Sequence, residues 1–266
     1  MGEQGRPAKI HPTAVVATTA ELGSGVVIGP HCVIGERVRI GDDNHVGPGT
    51  WIEGPTEIGP RNRFFGPAAV GTDPQDLKYR GEESFLVIGE GNLIREFVTI
   101  HRGTAGGGLY TRIGNRNLLM TGVHVAHDCV VGDNVILANS ATLAGHVWVG
   151  NGASVGAFSG VHQFCRVGEH AFIGGYSVIT RDALPYLKTV GIRGEAKTYG
   201  VNAVGLERKG YSREAIEALQ HAYRVLLHRG LSLRDAVQRI RDEGPLTSEV
   251  EHLLRFVETS ERGFIR

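Results

Sequence analysis

The chain has 266 residues, 39 of them glycine, with 28 Lys plus Arg balanced by 28 Asp plus Glu. That length allows one large domain with an appendage or two ordinary domains, the glycine share of about twice the usual implies many tight turns, and the balanced charge excludes a global attraction to nucleic acid or an anionic membrane. Three cysteines, Cys32, Cys129 and Cys165, form no CxxC pair; Met1 to Lys9 is too polar for a signal peptide; and no stretch approaches 18 apolar residues, so a cytoplasmic location without membrane insertion is expected.

A branched apolar or aromatic residue recurs at every sixth position through Ile10, Val16, Leu22, Ile28, Ile34, Ile40, Val46, Ile52, Ile58, Phe64 and Val70. Six matches neither the 3.6-residue turn of an amphipathic helix nor a long strand; it matches a short strand followed by a corner. Three such units close a triangular coil of 18 residues, and stacking coils at roughly 4.7 to 4.9 Å gathers the anchors into one apolar column. The expected fold is an all-β solenoid, a parallel β-helix of hexapeptide repeats over residues 1–192. Glycine often follows the anchor, as at Gly29, Gly41 and Gly47, and is expected to mark the turns.

Thr72 to Phe85 breaks the phase with charge and Pro74. The phase returns at Ile88, Ile94 and Ile100, and His101 to Arg112 breaks it again with a glycine run. Two loops, about 72–86 and 101–112, are therefore expected to leave the solenoid at a corner. The repeat then slips by one residue and runs from Ile113 through Val125, Leu143 and Val161 to Ile179.

Inside that second run, adding 18 moves one coil along the stack. His127, Gly145 and Gln163 then lie one above another, with His124, His146 and His162 close beside them, so four histidines converge outside the apolar column. Two chemistries compete there. Imidazole is the commonest zinc ligand, yet His124 and His127 lack a supporting ligand set of cysteines or carboxylates. In general-base catalysis, His127 would take a proton from a hydroxyl while the Gly145 N–H, one coil above, holds the developing oxyanion.

Past about residue 190 helical spacing replaces the period of six, with Ile216, Leu219, Tyr223, Leu226 and Leu227 on one stripe. Ser212 is expected to cap the first helix, Gly230 to end it, and Ser248 with Glu251 to form a capping box for the last. A small C-terminal α-helical domain over 193–266 is expected to cover the open end of the coil stack.

Several segments carry a more specific resemblance: PQDLKY at Pro74 to Tyr79, IREFVTIHRGT at Ile94 to Thr104, HVAHDC at His124 to Cys129, LANSATLAGHV at Leu137 to Val147, VHQFC at Val161 to Cys165 and GLERKGYSREAI at Gly205 to Ile216. Over nearly its whole length the chain resembles the hexapeptide-repeat acyltransferases that transfer an acyl group from acyl carrier protein to UDP-N-acetylglucosamine, the first step of lipid A (lipopolysaccharide) biosynthesis. The resemblance implies a left-handed coil, an exception to right-handed crossovers. It also implies a homotrimer with sites between subunits, an (R)-3-hydroxyacyl donor carried on the phosphopantetheine arm of acyl carrier protein, the glucosamine 3-hydroxyl as acceptor, and neither cofactor nor metal.

By the same resemblance His127 is the general base, Asp128 orients it and the Gly145 amide is the oxyanion donor. His124, His146, His162 and Gln163 position the substrates, Asp76 and Lys78 bind the sugar, and Asn202 and Arg208 contact nucleotide or phosphate. Gly175 falls where acyl-chain length is set, and glycine there implies a longer chain. The chain departs from the pattern at Val204, where some members carry an acid. Because acyl carrier protein is acidic, Arg208, Lys209, Arg213 and Arg224 are expected docking points. The competing functions on such a scaffold are an acyl-CoA-dependent acyltransferase and a zinc enzyme of the γ-carbonic anhydrase type.

Overall fold

The computed structural model describes residues 6–227 and 230–266; the first five residues of the segment read as too polar for a signal peptide lie outside them. Among the described residues, 28 strands, most of them two residues long, form three sheets of eleven, nine and eight strands. From the first strand to the twenty-third, each pairs in parallel with the third strand after it. Ile10 lies against Ile28 and Ile28 against Val46, while Val125 lies against Leu143 and Leu143 against Val161, a step of 18 residues. The three sheets are the walls of a triangular prism, and the anchors from Ile28 to Ile179 fill its interior almost without exposure. Ile10, in the first coil where the stack ends, stays 47% exposed.

The register explains why one loop preserves the phase and the other shifts it. Across the first loop Phe64 pairs with Ile94 and Ile58 with Ile88, a step of 30, so twelve residues are inserted and the multiple of six keeps the period. Across the second, Ile88 pairs with Ile113 and Ile94 with Leu119, a step of 25, so seven are inserted and the period slips by one.

The glycines after the anchors mark the turns as expected: Gly29, Gly41 and Gly47 each stand immediately before a two-residue turn. Gly29, Gly41 and Gly47 are themselves outside the left-handed region, which His31, Arg37, Asp43, Asp128, His146 and Phe164 occupy at the corners at φ of 56–63°. What those glycines answer is close stacking: a Cβ on Gly47 would sit 2.6 Å from the Phe64 carbonyl oxygen of the next coil. Amides at one corner are satisfied by a buried asparagine ladder. Asn44, Asn62, Asn92 and Asn117 accept through Oδ1 from the backbone N–H of Asn62, Asn92, Asn117 and Val135 at 2.6–2.9 Å.

At the far end Leu187–Val190 joins the eleven-stranded sheet and Lys197–Val201 returns antiparallel to it, so the expected boundary at 192 falls inside one hairpin. Helices α1 (Ala203–Arg208), α2 (Arg213–Leu226), α3 (Leu233–Glu243) and α4 (Ser248–Glu258) follow. Ser212 caps α2 as expected, accepting from the Ala215 N–H at 3.1 Å. α2 stops at Leu226, before Gly230, and α4 is capped by Thr247, one residue ahead of Ser248. The helices pack on Leu184, Leu187 and Val201 in a second apolar cluster. The column itself is closed by the C-terminal segment. Ile265 joins the coil core, with its N–H on the Asp182 carbonyl at 2.9 Å and its carbonyl accepting from the Thr198 hydroxyl at 2.7 Å.

Candidate functional site

The corner after His124–Val125 turns through His127 and Asp128, with Asp128 in the left-handed conformation. That backbone aims the Asp128 carboxylate back along the turn, where its Oδ2 meets Nδ1 of His127 at 2.7 Å. The carboxylate is completely buried and fully bonded. Its Oδ1 accepts from the Thr104 N–H at 2.8 Å and its Oδ2 from the Thr104 hydroxyl at 2.6 Å. The glycine run of the second loop lies directly on it, since a Cβ on Gly107 would come within 2.0 Å of the Asp128 Cγ. A buried carboxylate accepting from Nδ1 leaves His127 with a proton on Nδ1 and a lone pair on Nε2, the tautomer a base needs.

One coil on, Gly145 faces the imidazole. A Cβ there would stand 2.6 Å from Cε1 and 2.8 Å from Nε2 of His127, so only glycine admits the ring in this position. The Gly145 carbonyl is bonded to the Phe164 N–H at 3.2 Å, and among the described residues its own N–H has no acceptor. His146 sits beside this pair, edge-on to His127 at 5.2 Å between centroids, stacked on Phe164 at 4.3 Å, with Nε2 at 3.7 Å from Asp128. Burial lowers the His146 pKa while Asp128 pulls it upward. Asp76 and Lys78 of the first loop also act on it, with opposite signs.

The structure thus brings His127, Asp128, Gly145 and His146 to one corner and the loop bearing Asp76 and Lys78 to its edge. His124 is on the outer face of the nine-stranded sheet, bonded through Nδ1 to the Thr99 hydroxyl at 2.8 Å and 5.3 Å from the His101 ring. His162 and Gln163 are exposed, joined by a 3.2 Å contact from the His162 ring to the Gln163 carbonyl. Asn202 precedes α1, with its amide 3.4 Å from the His170 carbonyl, and Arg208 ends that helix; neither touches the histidine corner within the chain. Gly175 occupies a different corner of the prism. Lys209 is not free to dock a partner: its amine donates to the Gly152 carbonyl and lies 3.0 Å from Nδ1 of His170. Arg213 is paired with Glu217 at 2.7 Å.

Thr104 and Gly107 were not singled out as site residues. The HRGT word and the glycine run were visible, but nothing in a broken period says that the loop folds onto Asp128. His127, Asp128 and His146 also place three potential metal donors within 4.8 Å of one another, a tighter set than expected from His124 and His127 alone. A cation there would have to displace hydrogen bonds that already occupy both oxygens of Asp128 and Nδ1 of His127.

Two half-buried histidines make the fold sensitive to acid. Burial, followed by the charges of His101 and His127, lowers His124 to about 4; burial, followed by Lys209 and His252, lowers His170 to about 4. Both titrate at an ordinary 6.5 when unfolded. Between these values the unfolded chain binds more protons, so stability is full above 6.5 and falls as pH drops toward 4. The denaturation midpoint is expected to fall between about pH 7 and about pH 4.5. The fall should shrink in the double variant His124→Asn, His170→Asn; an unchanged fall would assign it to other groups.

Comparison with known proteins follows this geometry. Residues 182–265 match the family model for domain 2 of UDP-N-acetylglucosamine O-acyltransferase, and residues 110–145 and 146–181 match the bacterial transferase hexapeptide model. The acyl-[acyl-carrier-protein]:UDP-N-acetylglucosamine O-acyltransferase of Syntrophobacter fumaroxidans is 49% identical over 264 residues, covering 97% of this chain and all of that one. The enzyme of the same name from Myxococcus xanthus is 49% identical over 259 residues, with the same coverage. A solved UDP-N-acetylglucosamine acyltransferase from Bacteroides fragilis superposes with a TM-score of 0.93 at 42% identity, over 97% of this chain and 100% of that one. The coil is left-handed, as expected. With such identity along almost its whole length, the chain belongs to the acyl-[acyl-carrier-protein]:UDP-N-acetylglucosamine O-acyltransferase family of hexapeptide-repeat enzymes.

Proposed function

We propose that this protein transfers an (R)-3-hydroxyacyl group from acyl carrier protein to the glucosamine 3-hydroxyl of UDP-N-acetylglucosamine, the first step of lipid A biosynthesis. The observation that carries the mechanism is the buried Asp128–His127 pair lying across Gly145. Nε2 of His127 takes the proton from the 3-hydroxyl as that oxygen attacks the thioester carbonyl. The tetrahedral oxyanion is held by the Gly145 N–H. Its collapse breaks the C–S bond, and the pantetheine sulfur leaves with the proton returned by His127, giving the ester and the free carrier thiol. Asp128 stays ionised and holds the imidazole through the cycle. Asp76 and Lys78 present the sugar at His146, while His162, Gln163, Asn202 and Arg208 hold the remaining parts of the two substrates.

No cofactor or metal enters this reaction. An acyl-CoA donor and zinc-dependent hydration are the competing readings. The deciding experiment incubates the purified protein with UDP-N-acetylglucosamine and a panel of acyl-carrier-protein thioesters, scoring product and bound metal. Ester formation by metal-free protein supports the proposal; no transfer from any carrier thioester, with turnover from acyl-CoA or zinc-dependent carbonic anhydrase activity, overturns it. Repeating the assay with the 3-amino sugar analogue establishes whether the acceptor atom is oxygen or nitrogen.

The acyl chain runs over the outer face of the nine-stranded sheet, where His124, Thr142, Gly160 and Val178 follow one another in register. Gly160 leaves open space there, since a Cβ on it would meet nothing within 4 Å. This face ends at the corner holding Gly175, where a Cβ would lie 3.3 Å from the Ala157 carbonyl oxygen. Gly175→Met is expected to move donor preference toward shorter chains by roughly tenfold in relative kcat/KM, the scale of one or two methylenes in an apolar groove. An unchanged chain-length profile would remove Gly175 from this role.

The working form is a homotrimer. A largely apolar outward column on the eleven-stranded sheet supports it: Leu93, Leu118, Ile136, Ser154 and Phe172 stand in register, with Leu93, Ile136 and Phe172 at 42%, 40% and 39% exposure. Phe158 and Tyr176 stack at 5.2 Å on the adjoining corner, also exposed. A surface of this kind calls for a partner. No helix among the described residues is long and apolar enough to cross a membrane. A carrier-protein donor and three buried free cysteines support a cytoplasmic location.

A further inference from the structure

The twelve residues from Asp73 to Ser84 contain no helix or strand, yet they must present Asp76 and Lys78 at a defined place beside His146. A loop of that length held only at its ends would cost the acceptor the entropy of ordering it. The stem of this loop is instead clamped by one segment, His101–Thr104, the end of a neighbouring strand and the start of the second loop.

The Arg102 side chain is 8% exposed, and its guanidinium donates to the Gly71 carbonyl and the Asp73 carboxylate. It also reaches the Tyr79 hydroxyl at 3.4 Å and stands 3.9 Å from Glu53. The Arg102 N–H donates to the Thr72 carbonyl at 3.1 Å, and His101 Nδ1 bonds the Asp73 carbonyl at 2.7 Å. From Asp73 and Tyr79 the contacts continue to the tip: the Tyr79 backbone N–H donates to the Asp76 carbonyl at 3.0 Å, and the Lys78 N–H to the Asp76 carboxylate at 2.9 Å. Two residues beyond Arg102, Thr104 donates both its N–H and its hydroxyl to Asp128. One four-residue segment therefore holds the acceptor loop with its first half and the base-orienting carboxylate with its last residue.

We infer that Arg102 is a positioning residue that clamps the 73–84 loop for the sugar acceptor, acting through Asp73 and Tyr79 and leaving the His127–Asp128 pair to Thr104. The inference rests on the acyltransferase reading for its kinetic consequence but not for its structural one. A buried guanidinium with a fork of donors suits this task, because it fixes two directions at once where a lysine fixes one.

The test uses the full-length enzyme in four forms, Arg102→Gln, Arg102→Lys, Asp73→Ala and the double variant Arg102→Gln, Asp73→Ala, with Asp73 included because its side chain is 67% exposed. Hydrogen–deuterium exchange of residues 74–84 is expected to rise in Arg102→Gln and Asp73→Ala while exchange across the coils stays as in the parent. In the transfer assay the acceptor KM is expected to rise on the order of tenfold, with kcat and the donor KM within about threefold, and Arg102→Lys should restore part of the loss. The double variant should be no worse than the more affected single one, as for two members of one contact. Unchanged loop exchange overturns the clamp, as does a kcat loss equal to or larger than the KM effect, or a melting temperature that falls together with both constants. If the parent enzyme itself fails to use UDP-N-acetylglucosamine, the acyltransferase reading fails, and the exchange experiment alone decides whether Arg102 holds the loop.

Discussion

Replacing His127 by alanine is expected to lower kcat for acyl transfer by about 10²- to 10⁴-fold, the contribution of a positioned general base, with little change in either KM. Removal of the imidazole takes one hydrogen bond from the buried Asp128 carboxylate and leaves the two from Thr104. Stability should therefore fall modestly, by about 1 to 3 kcal/mol, and the oligomer should persist. Turnover within about tenfold of the parent would remove His127 as the base. The companion change Asp128→Asn separates tautomer control from basicity. An amide in that buried site can present its NH₂ to Nδ1, which would then have to be an acceptor and would place the ring proton on Nε2, the atom required as base. A loss comparable to His127→Ala is expected, in a protein that still binds both substrates.

The second large effect is expected at Gly145. Alanine there puts a methyl group 2.6 Å from Cε1 and 2.8 Å from Nε2 of His127, closer than real Cβ contacts come, so the ring must swing away. The His127–Asp128 bond is then lost and the space above the Gly145 amide is filled. Transfer should drop on the order of 10²- to 10³-fold, as when an oxyanion donor is disabled, and the missing Nε2 alignment should deepen that loss. Gly145 is outside the left-handed region, so alanine carries no backbone strain, and stability should fall only by the loss of the His127–Asp128 bond, by about 1 to 3 kcal/mol as in His127→Ala. Retained activity in Gly145→Ala would show that neither the ring position nor this amide matters to the reaction.

Much of the fold was legible because a solenoid repeats one contact many times. Ile28, Val46, Phe64 and their successors needed only a constant spacing to be placed in the column, and the same spacing stacked Gly145 over His127. The glycines mark the turns as expected, but the reason for glycine there is one that the period does not encode. The corners accept Asp, Asn, His and Phe in the left-handed conformation, while the glycines after the anchors relieve coil-to-coil crowding. The helical tail was read from its 3.6-residue stripe, but its cap moved from Ser248 to Thr247, within the reach of local side-chain competition for one N–H. That Lys209 is turned inward onto Gly152 and His170 was not visible beside Arg208, because both are simply cations on one helix end.

By itself the sequence determined the period, the 18-residue coil, the apolar column and the alignment of His127 with Gly145, all of which follow from a fixed separation between partners along the chain. Only the tertiary structure decided what surrounds that alignment: Thr104 and Gly107 closing over Asp128, Arg102 holding the acceptor loop, and Ile265 plugging the last coil. Those contacts join segments whose separation obeys no repeat. They are set by where an inserted loop or a chain end comes to rest against the finished prism, and that is known only once the prism exists.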